Sequence, residues 1–267
     1  MISLFMHGGP SHMDLLDPRW DSPRGGYEVL VEGDTIKEVS SKAIKSKGAT
    51  VIDCGKRTLM PGLIDCHVHV FLTEVNIRHL EAIPLTLLTA KSAELMRGMI
   101  DRGFTTVRDA GGADWSLAEA TRTGVIAGPR IFPSGRALSQ TGGHGDMRER
   151  NDIIEPCACT PKIGAIARVV DGVDAIRKAI REEIQKGATQ IKIMASGGVA
   201  SPNDPIHFLG YSEDEIRAAV EEAGNAGTYV MAHAYTSRAI SRAVRCGVRT
   251  IEHGNLVDDE EIGRAHV

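Results

Sequence analysis

This 267-residue chain has no long apolar run and no large excess of one charge, and its number of cysteines is odd. No stretch approaches the roughly 20 apolar residues of a membrane span, and the first residues lack the basic start and cleavage site of a secretion signal. The 31 basic and 35 acidic residues are mixed, with a net charge of -4, which disfavours nucleic-acid or membrane-surface binding. The five cysteines include Cys157-Ala-Cys159, which has no second pair at zinc-finger spacing. These absences predict a soluble, cytoplasmic protein with a small-molecule partner.

Residues 58–267 alternate β-like runs with helical patterns, most of which end in glycine. This alternation predicts an α/β fold with a parallel sheet, either an open doubly wound sheet or a closed (β/α)8 barrel. No G-x-G-x-x-G follows the first strand, which weakens a dinucleotide-binding interpretation. Polar residues at the C-terminal ends of several strands favour the barrel. The predicted strands are 63–70, 105–108, 130–133, 190–194, 229–233 and 250–253, and the predicted helices are 85–103, 116–124, 173–187, 212–227 and 237–247.

The domain boundaries follow from the same patterns. Residues 1–24 are rich in turn-forming residues and predict an atypical, flexible N-terminal segment. Residues 25–57 alternate around a Gly33-Asp34 turn, with a further strand pattern at 50–54, and predict part of a small β-sandwich-like domain. A full barrel takes eight strands and about 250 residues, so we expect residues 58–267 to form an incomplete barrel of six strands that stops before strands seven and eight.

Two histidines, His67 and His69, end the first predicted strand of the barrel. Because residues i and i+2 of a strand share one face, both imidazoles can reach one metal ion. The alternative is a pair of hydrogen-bonded core histidines. His233 and His253 stand at equivalent ends of two later strands, and four such positions favour metal ligands, with zinc the expected ion.

Lys192 lies in the apolar strand Gln190-Ile-Lys-Ile-Met194. An ammonium group buried beside metal cations is unfavourable, so this lysine either reaches solvent or pairs with a neighbouring residue. A third interpretation is that a neutral, desolvated amine adds carbon dioxide. The resulting carbamate is an anion with two oxygens, which suits it to bridge two metal ions.

The order G-L-I-D-x-H-x-H, then a strand lysine, then two separate strand histidines resembles the amidohydrolase superfamily. Four segments resemble the imidazolonepropionase-like branch of this superfamily, which includes Xaa-Pro dipeptidases (prolidases). They are Phe104-Thr-Thr-Val-Arg-Asp-Ala-Gly-Gly112, residues 134–144, residues 190–199 and Ile251-Glu-His-Gly-Asn255. The resemblance implies that one zinc ion is bound by the first two histidines, a second by the later two, and that carboxylated Lys192 bridges them. It also implies an aspartate at the end of strand eight as metal ligand and general base, a strand that this sequence does not reach.

Three further residues are candidates for binding or catalysis. Tyr235 lies two residues after His233 on the same strand face and can donate its hydroxyl to a substrate oxygen. Arg136 can hold a substrate carboxylate through two parallel hydrogen bonds, and His144 follows a glycine-rich turn. A structural tyrosine, a solvated arginine and an ordinary loop histidine are the alternatives. Together with Lys192, His144 and Tyr235 are the catalytic candidates.

These patterns predict metal-dependent hydrolysis of an amide C–N bond by a zinc-activated hydroxide. By resemblance to the dipeptidases, the expected substrate is an Xaa-Pro dipeptide or an N-acyl-proline. One alternative is an imidazolonepropionase-like cyclic-amide hydrolase or deaminase with one metal and no carbamate. Another is an inactive truncated fragment, whose unpaired sheet edges would favour association into a homo-oligomer.

Overall fold

The structure of the chain is a computed structural model that describes residues 28–33, 35–54, 59–148 and 166–259. The segment predicted at residues 1–24 and the cysteines Cys157 and Cys159 lie outside these ranges. Within them the chain has the predicted α/β architecture with parallel strands.

A hairpin opens the described chain. Strands β1 (Glu28–Glu32) and β2 (Thr35–Ser40) pair antiparallel, as the sequence predicted. The strand predicted at residues 50–54 is wrong, because that segment is irregular. Val51 is 88% exposed and Ile52 is 63% exposed. An extended segment needs a neighbour for its backbone hydrogen bonds, and no described strand pairs with this one.

Eight strands that pair in parallel and six helices make up the rest of the described chain. The strands are β3 (Leu63–Val68), β4 (Phe104–Asp109), β5 (Arg130–Phe132), β6 (Ala137–Ser139), β7 (Ala167–Val169), β8 (Ile191–Met194), β9 (Val230–Thr236) and β10 (Thr250–Leu256). The helices are α1 (Ile77–Ala82), α2 (Leu85–Asp101), α3 (Trp115–Arg122), α4 (Val173–Gln185), α5 (Glu213–Asn225) and α6 (Ser237–Arg245). None of these described helices has the length and apolar character that a membrane crossing requires.

The strands form two sheets. One has the order β3-β4-β5 and the other the order β7-β6-β8-β9-β10. The chain passes from the first sheet to the second through the turn between β5 and β6. Gly135 in this turn donates to the Ala113 carbonyl at 2.9 Å and accepts from the Gly112 N–H at 2.8 Å, so the backbone ties the turn to the loop that follows β4.

Side-chain alternation decides which residues the helices cover. Ile191 and Ile193 of β8 lie in one apolar cluster with residues of α4, α5 and α6. Val230 and Ala232 of β9 belong to the same cluster. Because successive residues of a strand point to opposite faces, the intervening side chains lie on the face turned away from the helices, which places Lys192 there.

Candidate active site

The predicted ligands come from both sheets. His67 lies on β3 and His69 directly follows it, whereas Lys192, His233 and His253 lie on β8, β9 and β10. The ring centroids of His67 and His69 are 5.3 Å apart, and that of His253 is 4.8 Å from His67. His233 and His253 are 4.7 Å apart. The four imidazoles therefore form one group that joins the two sheets.

Hydrogen bonds fix the orientation of three of these rings. The Nδ1 atom of His67 lies 2.6 Å from Glu252 Oε2, and that of His69 lies 3.1 Å from the Gly111 carbonyl oxygen. His233 uses the other nitrogen, with Nε2 3.1 Å from the Gly197 carbonyl oxygen. Each ring keeps one nitrogen free for a ligand, which is the arrangement found around protein-bound metals.

The environment of three of these imidazoles, those of His69, His233 and His253, favours the neutral form. Burial is the main cause that lowers the pKa of His69 to about 4 and the pKa of His233 to about 2. Loss of hydration, followed by the nearby charge of Lys192, lowers the pKa of His253 to about 4, although this ring is more open to solvent. A neutral imidazole is the form that coordinates a metal ion, so the group is poised to bind one at pH 7.

Lys192 is buried among these groups, with 1% of its surface exposed. Burial lowers the pKa of its amine to about 7. The carboxylates of Glu252 and Asp109 oppose this shift, and the Arg108 guanidinium adds to it. A substantial neutral fraction at pH 7 is what addition of carbon dioxide requires, since only the unprotonated amine is nucleophilic.

His144 and Tyr235 lie beside the group. The His144 ring stacks on the His233 ring, with centroids 4.0 Å apart, and the Tyr235 ring stacks on His253 at 5.1 Å. The Nδ1 atom of His144 lies 2.7 Å from Ser201 Oγ and 3.3 Å from Asp204 Oδ2. These contacts occupy Nδ1 and leave Nε2 for a substrate.

A glycine makes room for the His144 ring. A Cβ atom placed on Gly198 would lie 1.9 Å from His144 Cε1. A hydrogen bond closes the loop from Gly198 to Asp204, since Asp204 Oδ2 accepts the Gly198 N–H at 2.9 Å. Any side chain at Gly198 would therefore displace the histidine or open the loop.

Arg136 does not join the histidines. Its backbone N–H donates to Glu183 Oε2 at 3.2 Å, and its Nε lies 3.9 Å from Glu183 Oε1. Glu183 is on α4, the helical layer outside the strands. The predicted role of Arg136 in holding a substrate carboxylate stays a prediction.

Sequence reasoning missed two buried carboxylates that contact site histidines, Glu252 against His67 and Asp204 against His144. Glu252 directly precedes His253, and alternation along a strand places such neighbours on opposite faces. The backbone of His253 departs from the strand with a φ of 76°. This left-handed conformation lets both residues reach the site. The one signal in the sequence for Glu252 was its place beside His253, and Asp204 lies in a loop whose sequence gave none.

The donor set fits a metal centre by its chemistry. Four imidazoles, each with a ring nitrogen free for a ligand, and a buried lysine that can become an anionic carbamate match the preferences of zinc and similar ions. Within the described ranges, no three His, Cys, Asp or Glu side chains are already arranged around a common point. The fit therefore rests on the type and orientation of the donors.

Asp109 organises the loop behind His69. Its Oδ2 accepts the Val70 N–H at 2.8 Å, and its Oδ1 accepts the N–H groups of Gly111 and Ala113 at 2.9 and 3.1 Å. The side chain is fully buried. It therefore ties the end of β3 to the loop whose Gly111 carbonyl holds the His69 ring.

Replacing Asp109 with asparagine should lower the free energy of unfolding by about 1–3 kcal/mol, because an amide nitrogen leaves at least one buried N–H without an acceptor. Urea denaturation measures this change. Asp114→Asn is the matched control, since Asp114 caps α3 by accepting the Ser116 and Leu117 N–H groups and asparagine caps equally well. Equal stability of Asp109→Asn and the wild type would contradict this role.

Comparison with known proteins identifies the family of the chain. The amidohydrolase family model matches residues 58–266. Ochratoxinase of Aspergillus niger is 35% identical over 213 residues, which cover 76% of this chain and 44% of that protein.

Solved structures give the same result. A prolidase complexed with N-methylphosphonate-L-proline has 61% identity and a TM-score of 0.87, covering 90% of this chain and 59% of its own. An Xaa-Pro dipeptidase with bound methionine in the active site has 28% identity and a TM-score of 0.69, covering 88% of this chain and 58% of its own. The chain thus spans about half the length of the relatives it matches. It belongs to the amidohydrolase family, as the sequence resemblance predicted.

Proposed function

We propose that the chain carries the metal centre of a hydrolase that cleaves the amide C–N bond of an Xaa-Pro dipeptide or an N-acyl-proline, and that this centre is enough for cleavage. The observation that carries this proposal is the convergence of four imidazoles and one buried lysine from two sheets. The likeness to a prolidase at 61% identity supports the choice of substrate.

Two zinc ions are the proposed cofactors. His67 and His69 would hold one, His233 and His253 the other, and the Lys192 carbamate would link them. Such ions polarise a carbonyl group and lower the pKa of bound water. The contribution of this chain is to fix the ring orientation of His67, His69 and His233 through Glu252, Gly111 and Gly197.

His144 and Tyr235 are the proposed substrate-binding residues. His144 is held at Nδ1 by Ser201 and Asp204, so its Nε2 is free to bind a substrate oxygen. The Tyr235 hydroxyl has no hydrogen-bond partner within the described residues, and it can donate to a carboxylate or carbonyl oxygen. Both rings stack on ligand histidines, which places their polar atoms next to the proposed metal centre.

The test is hydrolysis by the purified chain loaded with zinc, followed as release of free proline. We expect Xaa-Pro dipeptides and N-acyl-prolines to be cleaved, a chelator to stop the reaction, and added zinc to restore it. Matched Xaa-Ala dipeptides are the control and should be cleaved more slowly. A zinc-loaded chain that cleaves none of the proline substrates would contradict the proposal.

A further inference from the structure

The two sheets meet at the site without backbone pairing between β3 and β10. In the described residues β3 is an edge of the first sheet and β10 an edge of the second. His67 belongs to the first sheet, whereas His233 and His253 belong to the second. The described contact between His67 and the second sheet is made by side chains.

A buried ion pair spans the two sheets at this point. Arg108 of β4 donates from Nη2 to Glu252 Oε1 of β10 at 2.7 Å. The side chain of Arg108 is 16% exposed and that of Glu252 is 5% exposed. The other oxygen of Glu252, Oε2, lies 2.6 Å from His67 Nδ1. One carboxylate thus joins an arginine and a histidine of the first sheet to the second.

Further hydrogen bonds hold the side chain of Arg108 in position. Its Nε donates to the Cys66 carbonyl oxygen at 2.7 Å, directly before His67 in the chain. Its Nη1 donates to the Tyr229 hydroxyl at 3.2 Å and to Thr250 Oγ1 at 3.3 Å. Thr250 Oγ1 in turn donates to Glu252 Oε1 at 3.0 Å. Arg108 therefore has partners on β3, on β10 and immediately before β9.

We propose that Glu252, held by Arg108, is a positioning residue that sets the orientation and the tautomer of His67. The proton of the neutral ring stays on Nδ1, and Nε2 is left as the metal ligand. This inference rests on the metal-binding part of the proposed function. It assigns a role to two residues that touch neither substrate nor metal.

The chemistry of the carboxylate dictates the tautomer. An ionised carboxylate only accepts hydrogen bonds, so the His67 nitrogen facing it must carry the hydrogen. The Arg108 guanidinium, 2.7 Å from Glu252 Oε1, pairs with the ionised form of this carboxylate. Carboxylates placed behind ligand histidines raise the basicity of the ring and hold it in position.

Glu252→Gln tests this role through metal affinity, measured by competition with a chromophoric zinc chelator. Glutamine keeps the size of the side chain, but its single carbonyl oxygen cannot accept from both His67 and Arg108. We expect zinc affinity to fall by about 10- to 100-fold.

The matched control is Glu222→Gln on α5. Glu222 is also largely buried and pairs with two arginines, Arg177 and Arg181, but it lies between helices and contacts no site residue. Both variants lose the ion pairs of a carboxylate that is itself largely buried, and only Glu252→Gln should lose zinc affinity. Equal affinity of Glu252→Gln and the wild type, or an equal loss in the control, would overturn the proposal.

A second measurement needs no variant. The ¹⁵N chemical shifts of His67 in the metal-free wild-type chain report which ring nitrogen carries the proton in the neutral form. We expect protonated Nδ1, and a neutral ring protonated at Nε2 would overturn the inference. A wild-type chain with this tautomer but no zinc affinity would contradict the proposed function instead, so the two failures are distinguishable.

Discussion

Replacing His233 with alanine should weaken binding of the zinc ion that it would share with His253 by more than about 100-fold, and should slow proline release by a similar factor. Substitution of residues that merely support a metal ligand costs 10- to 100-fold, and loss of a ligand should cost more. His233 is 2% exposed and its Nε2 is held by the Gly197 carbonyl, so the position of its ring is fixed. Elemental analysis and the proline assay measure the two effects.

His207→Ala is the control for this substitution. The His207 ring is exposed and makes a ring contact with Phe208, away from the four site imidazoles. Circular dichroism of both variants checks that the fold is kept. A folded His233→Ala variant with unchanged zinc content would remove His233 from the metal centre.

Replacing Lys192 with alanine is the second substitution with a large expected effect. Without the amine no carbamate forms, so we expect zinc affinity and activity to fall by more than about 100-fold, again exceeding the loss of a supporting residue. Because Lys192 is fully enclosed, its truncation leaves a cavity beside the imidazoles. Short carboxylic acids such as acetate fit that cavity and should restore part of the activity.

Lys186→Ala is the matched control, since Lys186 is half exposed and pairs with Glu183 at the end of α4. Acetate should have no effect on this variant. A Lys192→Ala variant that stays fully active without added acid would contradict the bridging role. That result would favour the one-metal, imidazolonepropionase-like alternative.

The sequence predicted the five proposed ligands because their positions follow simple rules. His67 and His69 share a strand face, and Lys192 interrupts an apolar alternation whose other residues, Ile191 and Ile193, pack against helices. His233 occupies the same kind of position on β9. The structure brings these residues together, and their role as ligands stays a proposal.

Other features depend on contacts that no local pattern contains. Strands β6 and β7 have three residues each, which is too short for alternation to be recognised. Glu252 faces the site by alternation beside His233, and it is His253 that reaches the site only through a left-handed backbone. Arg136 directly precedes β6, but it contacts Glu183 of α4, which lies 47 residues further along the chain.

The metal content of the purified wild-type chain tests the central claim most directly. After loosely bound ions are removed with a chelating resin, elemental analysis should find about two zinc ions per chain, as a bridged pair requires. That result would mean that the imidazoles of the two sheets assemble a metal centre within this chain. Absence of any bound divalent ion, even after incubation with zinc and bicarbonate, would contradict the account.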